Sequence, residues 1–193
     1  MNIGIDIDGV IFDSEMYFRT FAEIYDIESG INSSIVNKEE TRVQRRYNWT
    51  DEQFATYVRD VMVPLERNTP FMAGALKVLD ELKKMGHRLV IISRRGSSGF
   101  YEEIEIANKR FAEVGLEFDG VYMDVGSKLD VCKQENIDVM IDDLDRTIDE
   151  LSDNGIDCLY FICPDSREIK KDNVTSVTNW GEIYRYFVEI QNN

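Results

Sequence analysis

The sequence predicts an α/β protein whose core is a doubly wound, Rossmann-like parallel sheet, with a small helical cap inserted after the first strand. Short β-branched apolar runs alternate with helical patterns from about residue 75 onward, which indicates βαβ units. Residues 14–71 interrupt this alternation with helical patterns alone. We therefore predict that residues 1–13 and 72–193 form the α/β core and that residues 14–71 form the cap.

Five short runs are predicted as strands because they are apolar on both faces, as in the buried strands of a parallel sheet. They cover residues 2–7, 87–92, 120–123, 138–141 and 156–162. Four of the five end at an Asp or a Ser. Ligands bind at the carboxyl ends of the strands in such sheets, so we expect the functional site there.

The core helices are predicted over residues 75–85, 100–114, 128–135, 145–153 and 180–190. In the first of them Leu76, Leu79 and Leu82 repeat at helical spacing, and Gly86 provides a stop. Helices are also predicted over residues 14–26, 38–47 and 51–62, with Ser14 as an N-cap and with Pro64 and Pro70 breaking the pattern.

Charge limits the classes of partner. The chain has 193 residues and a formal net charge of −15, which argues against a nucleic-acid polymer and against an anionic membrane surface as the main partner. A small phosphorylated substrate is compatible with this charge if the site carries its own cations. We expect a monomer or a homodimer.

Three cysteines without zinc-type spacing, Cys132, Cys158 and Cys163, are interpreted as reduced thiols of an intracellular protein. Asp6 and Asp8 fall where a signal peptide would need an apolar core. We therefore expect a cytoplasmic protein.

The most specific motif is Asp6-Ile7-Asp8-Gly9-Val10 at the end of the first predicted strand. Two carboxylates about 4 Å apart repel by roughly 4 kcal/mol at an effective dielectric of 20, so the pair needs a proton or a cation. Asp142 and Asp143 end the fourth strand and are expected to converge on the same edge. A site of carboxylates alone suits Mg²⁺, whereas the alternative is an ordinary acidic turn.

These motifs resemble those of the haloacid dehalogenase-like superfamily of phosphatases and phosphotransferases. Asp6-Ile7-Asp8-Gly9-Val10 is similar to its first signature, Ile91-Ile92-Ser93 to its second, and Ile141-Asp142-Asp143 to its acidic fourth signature. Lys128 lies where the family's lysine is expected, and residues 14–71 lie in the place of its helical cap. All four motifs occur in order over essentially the whole chain.

The resemblance implies that Asp6 attacks phosphorus and forms an aspartyl-phosphate, and that Asp8 serves as general acid and then general base. Lys128 would neutralise charge and bind the phosphate, together with Ser93 and the Arg94 amide. Mg²⁺ would be held by Asp6, the main-chain carbonyl of Asp8, and Asp142, with Asp143 as an outer or alternate ligand.

Lys128 has support besides the resemblance. Ser127 is a plausible N-cap with Asp130 three residues later, so Lys128 begins a helix. A cation there opposes the helix dipole by about 0.3–1 kcal/mol, which is explained if the ammonium faces Asp6 and a phosphate. The alternative for Lys128 is a solvated surface lysine without a role in the site.

Ser93 and the two arginines after it also have alternatives. Ser93 could simply end its strand, and the side chains of Arg94 and Arg95 could be solvated.

The opening residues and residues 137–143 resemble the 5′(3′)-deoxyribonucleotidase-type branch, which implies a nucleoside monophosphate substrate. Candidate base-stacking residues are Phe18, Phe21, Tyr47 and Trp49, and candidate polar contacts are Arg42, Arg45 and Arg46. The alternative is that the aromatic residues form the cap's own core. Leu144 and Asp145 depart from the pattern of that branch. Two alternatives therefore remain. The substrate could be a sugar phosphate or another small phosphoester, or the protein could be a module that binds Mg²⁺ and phosphate without catalysis.

Overall fold

The computed structural model describes residues 1–38, 43–96, 102–163 and 166–192. Within them lies a parallel six-stranded sheet of order β3-β2-β1-β4-β5-β6. The strands are β1 (Asn2–Ile5), β2 (Arg88–Ile92), β3 (Gly120–Tyr122), β4 (Val139–Asp142), β5 (Asp157–Phe161) and β6 (Val174–Val177). The predicted doubly wound parallel sheet is confirmed.

A helical insertion lies between β1 and β2. It contains α1 (Ser14–Glu28), α2 (Val43–Arg46), α3 (Asp51–Tyr57), a π-helical segment (Val58–Met62) and α4 (Val63–Glu66). The insertion has its own apolar cluster around Ala22, Val43, Tyr47, Tyr57 and Val58. Its division from the core as residues 14–71 stays a prediction.

Helices cover both faces of the sheet. The core helices are α5 (Ala75–Lys84), α6 (Glu102–Glu113), α7 (Lys128–Gln134), α8 (Asp145–Asp153) and α9 (Trp180–Gln191). Ile3, Ile5 and Ile91 belong to an apolar cluster with α5, α6 and α9, whereas Val90 and Met140 belong to a second cluster with α7 and α8. Successive strand residues therefore pack on opposite sides, which explains why the strands are apolar throughout.

The strand β6 has no counterpart among the predicted strands. This strand pairs with β5 at the edge of the sheet, and two of its four residues, Thr175 and Ser176, are exposed. An edge strand with polar exposed residues lacks the apolar run that identified the buried strands.

Three local predictions about the insertion need correction. Pro64 does not break the helical pattern, because it lies in the first turn of α4, where a missing N–H costs little. Asp13, rather than Ser14, is at the N-cap of α1, and the Ser14 hydroxyl accepts a hydrogen bond from the Gly9 amide instead. Of the helix predicted over 38–47, the structure contains Val43–Arg46, and residues 39–42 lie outside the described residues.

The two chain crossings between core and insertion run side by side. The Asp13 amide donates to the Pro70 carbonyl (2.9 Å), and the Met72 amide donates to the Ile11 carbonyl (2.8 Å). The guanidinium of Arg110, in α6, lies 4.7 Å from the centre of the Phe12 ring. A core helix therefore contacts one of the two segments that connect the core with the insertion.

No helix in the described ranges combines the length and the apolar character that crossing a bilayer requires.

Candidate active site

The strand order brings the predicted site residues together. β1 lies between β2 and β4, and the chain leaves these strands at Asp6, Ser93 and Asp142. The Asp6 amide donates to the Ile141 carbonyl (3.0 Å), which extends the β1–β4 pairing to the nucleophile candidate. A cavity of about 390 Å³ opens above this edge, and the predicted catalytic, phosphate-binding and metal-binding residues that line it are Asp6, Asp8, Ser93, Arg94, Lys128 and Asp143.

Lys128 is the central cation of this edge. Its Nζ lies 2.7 Å from Asp6 Oδ2 and 2.7 Å from Asp142 Oδ2. Burial lowers the pKa of Lys128, but the charges of Asp142 and Asp6 outweigh burial, so that its pKa is raised and the ammonium persists. The Ser127 hydroxyl accepts from the Asp130 amide (3.2 Å), so the predicted cap holds the start of α7. With only 2% of Lys128 exposed, the solvated alternative is wrong.

Three carboxylates lie close together at this edge, and two of them contact the Lys128 ammonium. Oxygens of Asp6, Asp142 and Asp143 all lie within 4.8 Å of one another. Burial raises the pKa of Asp6 to about 6, an effect that Lys128 opposes and Asp142 reinforces. The pKa of Asp143 is also raised, mainly by burial and then by the charges of Glu15 and Asp142. The excess negative charge and the oxygen donors fit a hard divalent cation such as Mg²⁺.

Gly9 allows the chain to pass beside this cluster. Its φ is 71°, and a Cβ at this position would overlap the Asp143 carboxylate. The glycine of the first motif is therefore required both by backbone conformation and by space.

Ser93 and Arg94 follow β2 at the rim of the cavity. The Ser93 hydroxyl is buried and accepts a hydrogen bond from the Arg95 amide (3.2 Å), while its own proton remains available to donate. Arg94 lines the cavity together with Arg146, a residue that was not among the predicted site residues. The phosphate-binding roles of Ser93 and of the Arg94 amide stay predictions, as does the metal-ligand role of the Asp8 carbonyl.

Asp8 is not part of the three-carboxylate cluster. Its two side-chain oxygens accept from Arg95, at 2.6 Å from Nη2 and 3.2 Å from Nε. Arg95 is buried, so its interpretation as a solvated side chain is wrong. The third nitrogen of Arg95, Nη1, lies 3.2 Å from Glu66 of α4. Burial raises the pKa of Glu66 to about 8, even though Arg95 lowers it.

Neither Arg95 as the partner of Asp8 nor Glu66 as the partner of Arg95 could be identified from the sequence. Arg95 follows Ser93 by two residues in a locally basic pair, and Glu66 resembles any charged helix residue. Only the packing of α4 against the core reveals that both are buried.

The aromatic candidates divide into two groups. Tyr47 and Trp49 stack at 4.8 Å within the apolar cluster of the insertion, and the Trp49 indole N–H donates to Asp26 (2.6 Å), so for these two residues the core interpretation is confirmed. Phe18 lines the cavity, and Phe21 packs edge-on against Tyr17. Two further cavity-lining residues, which the sequence analysis missed, are Phe54 and Met62.

The two described candidate arginines of the cap, Arg45 and Arg46, do not line the cavity. Arg45 is exposed, and Arg46 donates to the Lys38 carbonyl (2.6 Å). Arg42 lies outside the described residues. In the part of the chain that the structure describes, the cations lining the cavity are Arg94, Arg95, Lys128 and Arg146.

No family model and no curated protein matches this sequence. Solved structures match over nearly the full length. A haloacid dehalogenase-like family hydrolase from Xanthomonas campestris aligns with a TM-score of 0.65 and 13% identity, covering 98% of this chain and 95% of that one. A putative β-phosphoglucomutase from Thermotoga maritima aligns with a TM-score of 0.64 and 17% identity, covering 98% and 99%. A haloacid dehalogenase-like family hydrolase from Streptococcus pneumoniae aligns with a TM-score of 0.64 and 16% identity, covering 96% of this chain and 97% of that one.

These alignments define the class of fold. The chain has the fold of the haloacid dehalogenase-like hydrolases, a group whose matched structures include β-phosphoglucomutase-like members. The superfamily fold implied by the sequence motifs is thereby confirmed, and the nucleotidase branch stays a prediction.

Proposed function

We propose that this protein is a Mg²⁺-dependent phosphomonoester hydrolase that works through an aspartyl-phosphate on Asp6. The observation that carries the proposal is the position of Lys128 between Asp6 and Asp142, beside Asp143 and on the wall of a cavity. A carboxylate that attacks a phosphate dianion is repelled unless cations neutralise part of the charge. Lys128 supplies one such cation at the attacking residue.

Asp6 is the proposed nucleophile. Its Oδ1 accepts from the Ile7 amide (2.8 Å) and its Oδ2 contacts Lys128, so two contacts fix the direction of the carboxylate. A pKa near 6 leaves most of the Asp6 carboxylate ionised at neutral pH. Asp6 would form the acyl-phosphate bond as the bond between phosphorus and the leaving oxygen breaks and that oxygen takes a proton from Asp8. Asp8, then a carboxylate, would accept a proton from the water that attacks phosphorus and breaks the bond to Asp6.

The metal-ligand set in this proposal is Asp6, the Asp8 carbonyl and Asp142, with Asp143 as an outer or alternate ligand. When bound, Mg²⁺ neutralises phosphate charge and helps to orient the phosphoryl group. Ser93 and the Arg94 amide would donate hydrogen bonds to the phosphate oxygens that do not react.

The leading substrate class in this proposal is a nucleoside monophosphate. Phe18 and Phe54 on the cavity wall offer aromatic surface for a base, and Arg94 and Arg146 offer donors to polar groups. A sugar phosphate is the second candidate, because structures with the same fold include a putative β-phosphoglucomutase. A module that binds Mg²⁺ and phosphate without turnover is the alternative from another class.

The test is hydrolysis of a generic aryl phosphate, followed by a panel of deoxynucleotides and sugar phosphates. We expect turnover that requires Mg²⁺ and that Asp6→Asn abolishes without unfolding the protein. Asp138→Asn is the matched control, because Asp138 accepts from the Asn2 amide (2.7 Å) at the opposite end of β1. Full activity of Asp6→Asn refutes the nucleophile assignment. Binding of Mg²⁺ and phosphate without turnover across the panel establishes the binding module instead.

A further inference from the structure

We infer that Arg95 is a positioning residue that orients the Asp8 carboxylate and, through Glu66, couples that orientation to the placement of the helical insertion. The catalytic consequence of this inference rests on the proposed function, whereas the coupling itself does not. Three residues carry the inference, and they come from the loop after β1, from the segment after β2, and from α4 of the insertion.

The contact between Arg95 and Asp8 is a two-point contact. Nη2 donates to Oδ1 (2.6 Å) and Nε donates to Oδ2 (3.2 Å), so one edge of the planar guanidinium matches both carboxylate oxygens. Such paired charge-assisted hydrogen bonds fix the rotation of the carboxylate as well as its position. A lysine ammonium at the same place would act as a point charge and would leave that rotation free.

The other side of the guanidinium faces the insertion. Nη1 lies 3.2 Å from Glu66 Oε2, and the Glu66 side chain is 3% exposed. The main-chain carbonyl of Glu66 accepts from Arg110 of α6 (3.2 Å), so two core arginines hold the same turn of α4. Because the guanidinium is rigid, a shift of α4 that moves Glu66 changes the direction in which Arg95 presents its other edge to Asp8.

The immediate surroundings leave Arg95 little freedom to turn independently. Its guanidinium lies 5.4 Å from the centre of the Phe12 ring, and its side chain is 2% exposed. Glu103 holds the backbone next to it, since the Glu103 carboxylate accepts from the Gly96 amide (3.1 Å). The position of Arg95 is therefore set by its neighbours and by its two carboxylate partners together.

Stability alone is a poor explanation for this arrangement. Burying an arginine between carboxylates costs desolvation that an apolar cluster of similar size would avoid. The arrangement does connect the Asp8 carboxylate, which has to face the leaving oxygen in the proposed reaction, with the part of the insertion that lines the cavity through Met62 and Glu66.

The first experiment separates positioning from general damage by varying the leaving group. Arg95→Lys is compared with Arg88→Lys, which alters an arginine at the far end of β2, using an alkyl phosphate and a dinitrophenyl phosphate. A poor leaving group needs the proton from Asp8, and a good one does not. We expect the single-turnover rate of phosphoryl transfer in Arg95→Lys to fall about tenfold or more for the alkyl phosphate, with much less change for the dinitrophenyl phosphate. This rate is measured because it excludes the later step, common to both substrates, in which Asp8 accepts the proton of water.

Equal losses of the phosphoryl-transfer rate on both substrates, or a change confined to KM, would overturn the positioning role. If Arg95→Lys does not fold, Glu66→Ala replaces it, because alanine removes the acceptor for Nη1. The same dependence on the leaving group, of smaller size, is then expected.

The second experiment needs no turnover. Backbone hydrogen exchange is measured for Glu66→Ala, for Arg95→Lys and for the control Glu105→Ala, which alters an exposed glutamate of α6. We expect both network variants to raise exchange in residues 8–13 as well as in residues 63–69, and the control to change neither. Faster exchange of residues 63–69 alone in Glu66→Ala would refute the coupling. A wild-type protein that hydrolyses no phosphoester would refute the proposed function and would leave this result standing.

Discussion

The Lys128 ammonium lies 2.7 Å from the Asp142 carboxylate, although Lys128 begins α7 and Asp142 ends the following strand, β4. Asp142 is fully buried, and its second oxygen accepts from the Leu144 amide (2.9 Å). The pair thus fixes the lysine that also contacts Asp6. Removal of the ammonium would leave two buried carboxylates facing each other.

We therefore predict that Lys128→Met lowers the free energy of unfolding by about 3–5 kcal/mol at pH 7, because it leaves buried charges uncompensated. The loss should shrink at pH 5 and in millimolar Mg²⁺, since protons or the metal ion then replace the missing cation. Urea unfolding measures both effects. Lys133→Met, at an exposed position of the same helix, is the control, and an equal loss in the two variants would contradict the prediction.

Gly9→Ala should destabilise the protein and weaken Mg²⁺ binding. The left-handed conformation at φ 71° costs a non-glycine residue about 1–2 kcal/mol, and the added Cβ must also displace the Asp143 carboxylate. Gly30→Ala measures the cost of the left-handed conformation alone, because Gly30 has φ 73° and a Cβ there meets nothing within 4 Å. Thermal unfolding and Mg²⁺ titration of both variants test the difference. Identical losses of stability would show that space beside Asp143 does not matter.

Glu66 should make the stability depend on pH. The folded protein raises its pKa from 4.5 to about 8, so the fold favours the neutral form of the carboxyl group. Its favourable contribution is complete below pH 4.5 and is lost as the pH rises through about 8. We expect Glu66→Gln to gain stability relative to wild type as the pH is raised from 5 to 9, as measured by urea unfolding in EDTA. Parallel pH curves for the two proteins, like those expected for wild type and Glu105→Gln, would contradict this assignment.

Mg²⁺ binding should weaken in acid. Protons compete with the metal for Asp6, whose pKa is raised to about 6, so the affinity should fall below that pH and level off above it. Isothermal titration calorimetry from pH 5 to pH 8 measures this dependence. Asp143→Asn should weaken binding at every pH by about tenfold or more, because it removes one of three neighbouring carboxylates. An affinity that does not change with pH would argue against Asp6 as a ligand.

The features that the sequence determined by itself are those that depend on local patterns. Buried parallel strands need apolar residues on both faces, which is why β1, β2, β4 and β5 were predicted and the polar edge strand β6 was not. The convergence of Asp6, Ser93 and Asp142 also followed from the sequence, because the carboxyl ends of neighbouring parallel strands meet at one edge. The N-cap at Ser127 identified Lys128 as the start of a helix, and the structure shows that capping contact.

Contacts between segments that are distant in the chain were decided by tertiary structure alone. Arg95 and Glu66 are separated by 29 positions, and nothing in either local sequence shows that α4 packs against the end of β2. The same holds for Tyr47 and Trp49, which could have faced a ligand or each other, and which stack on each other inside the insertion. The physical reason is that periodicity records which residues of one element are buried, whereas the partner of a buried charge or ring depends on how separate elements pack together.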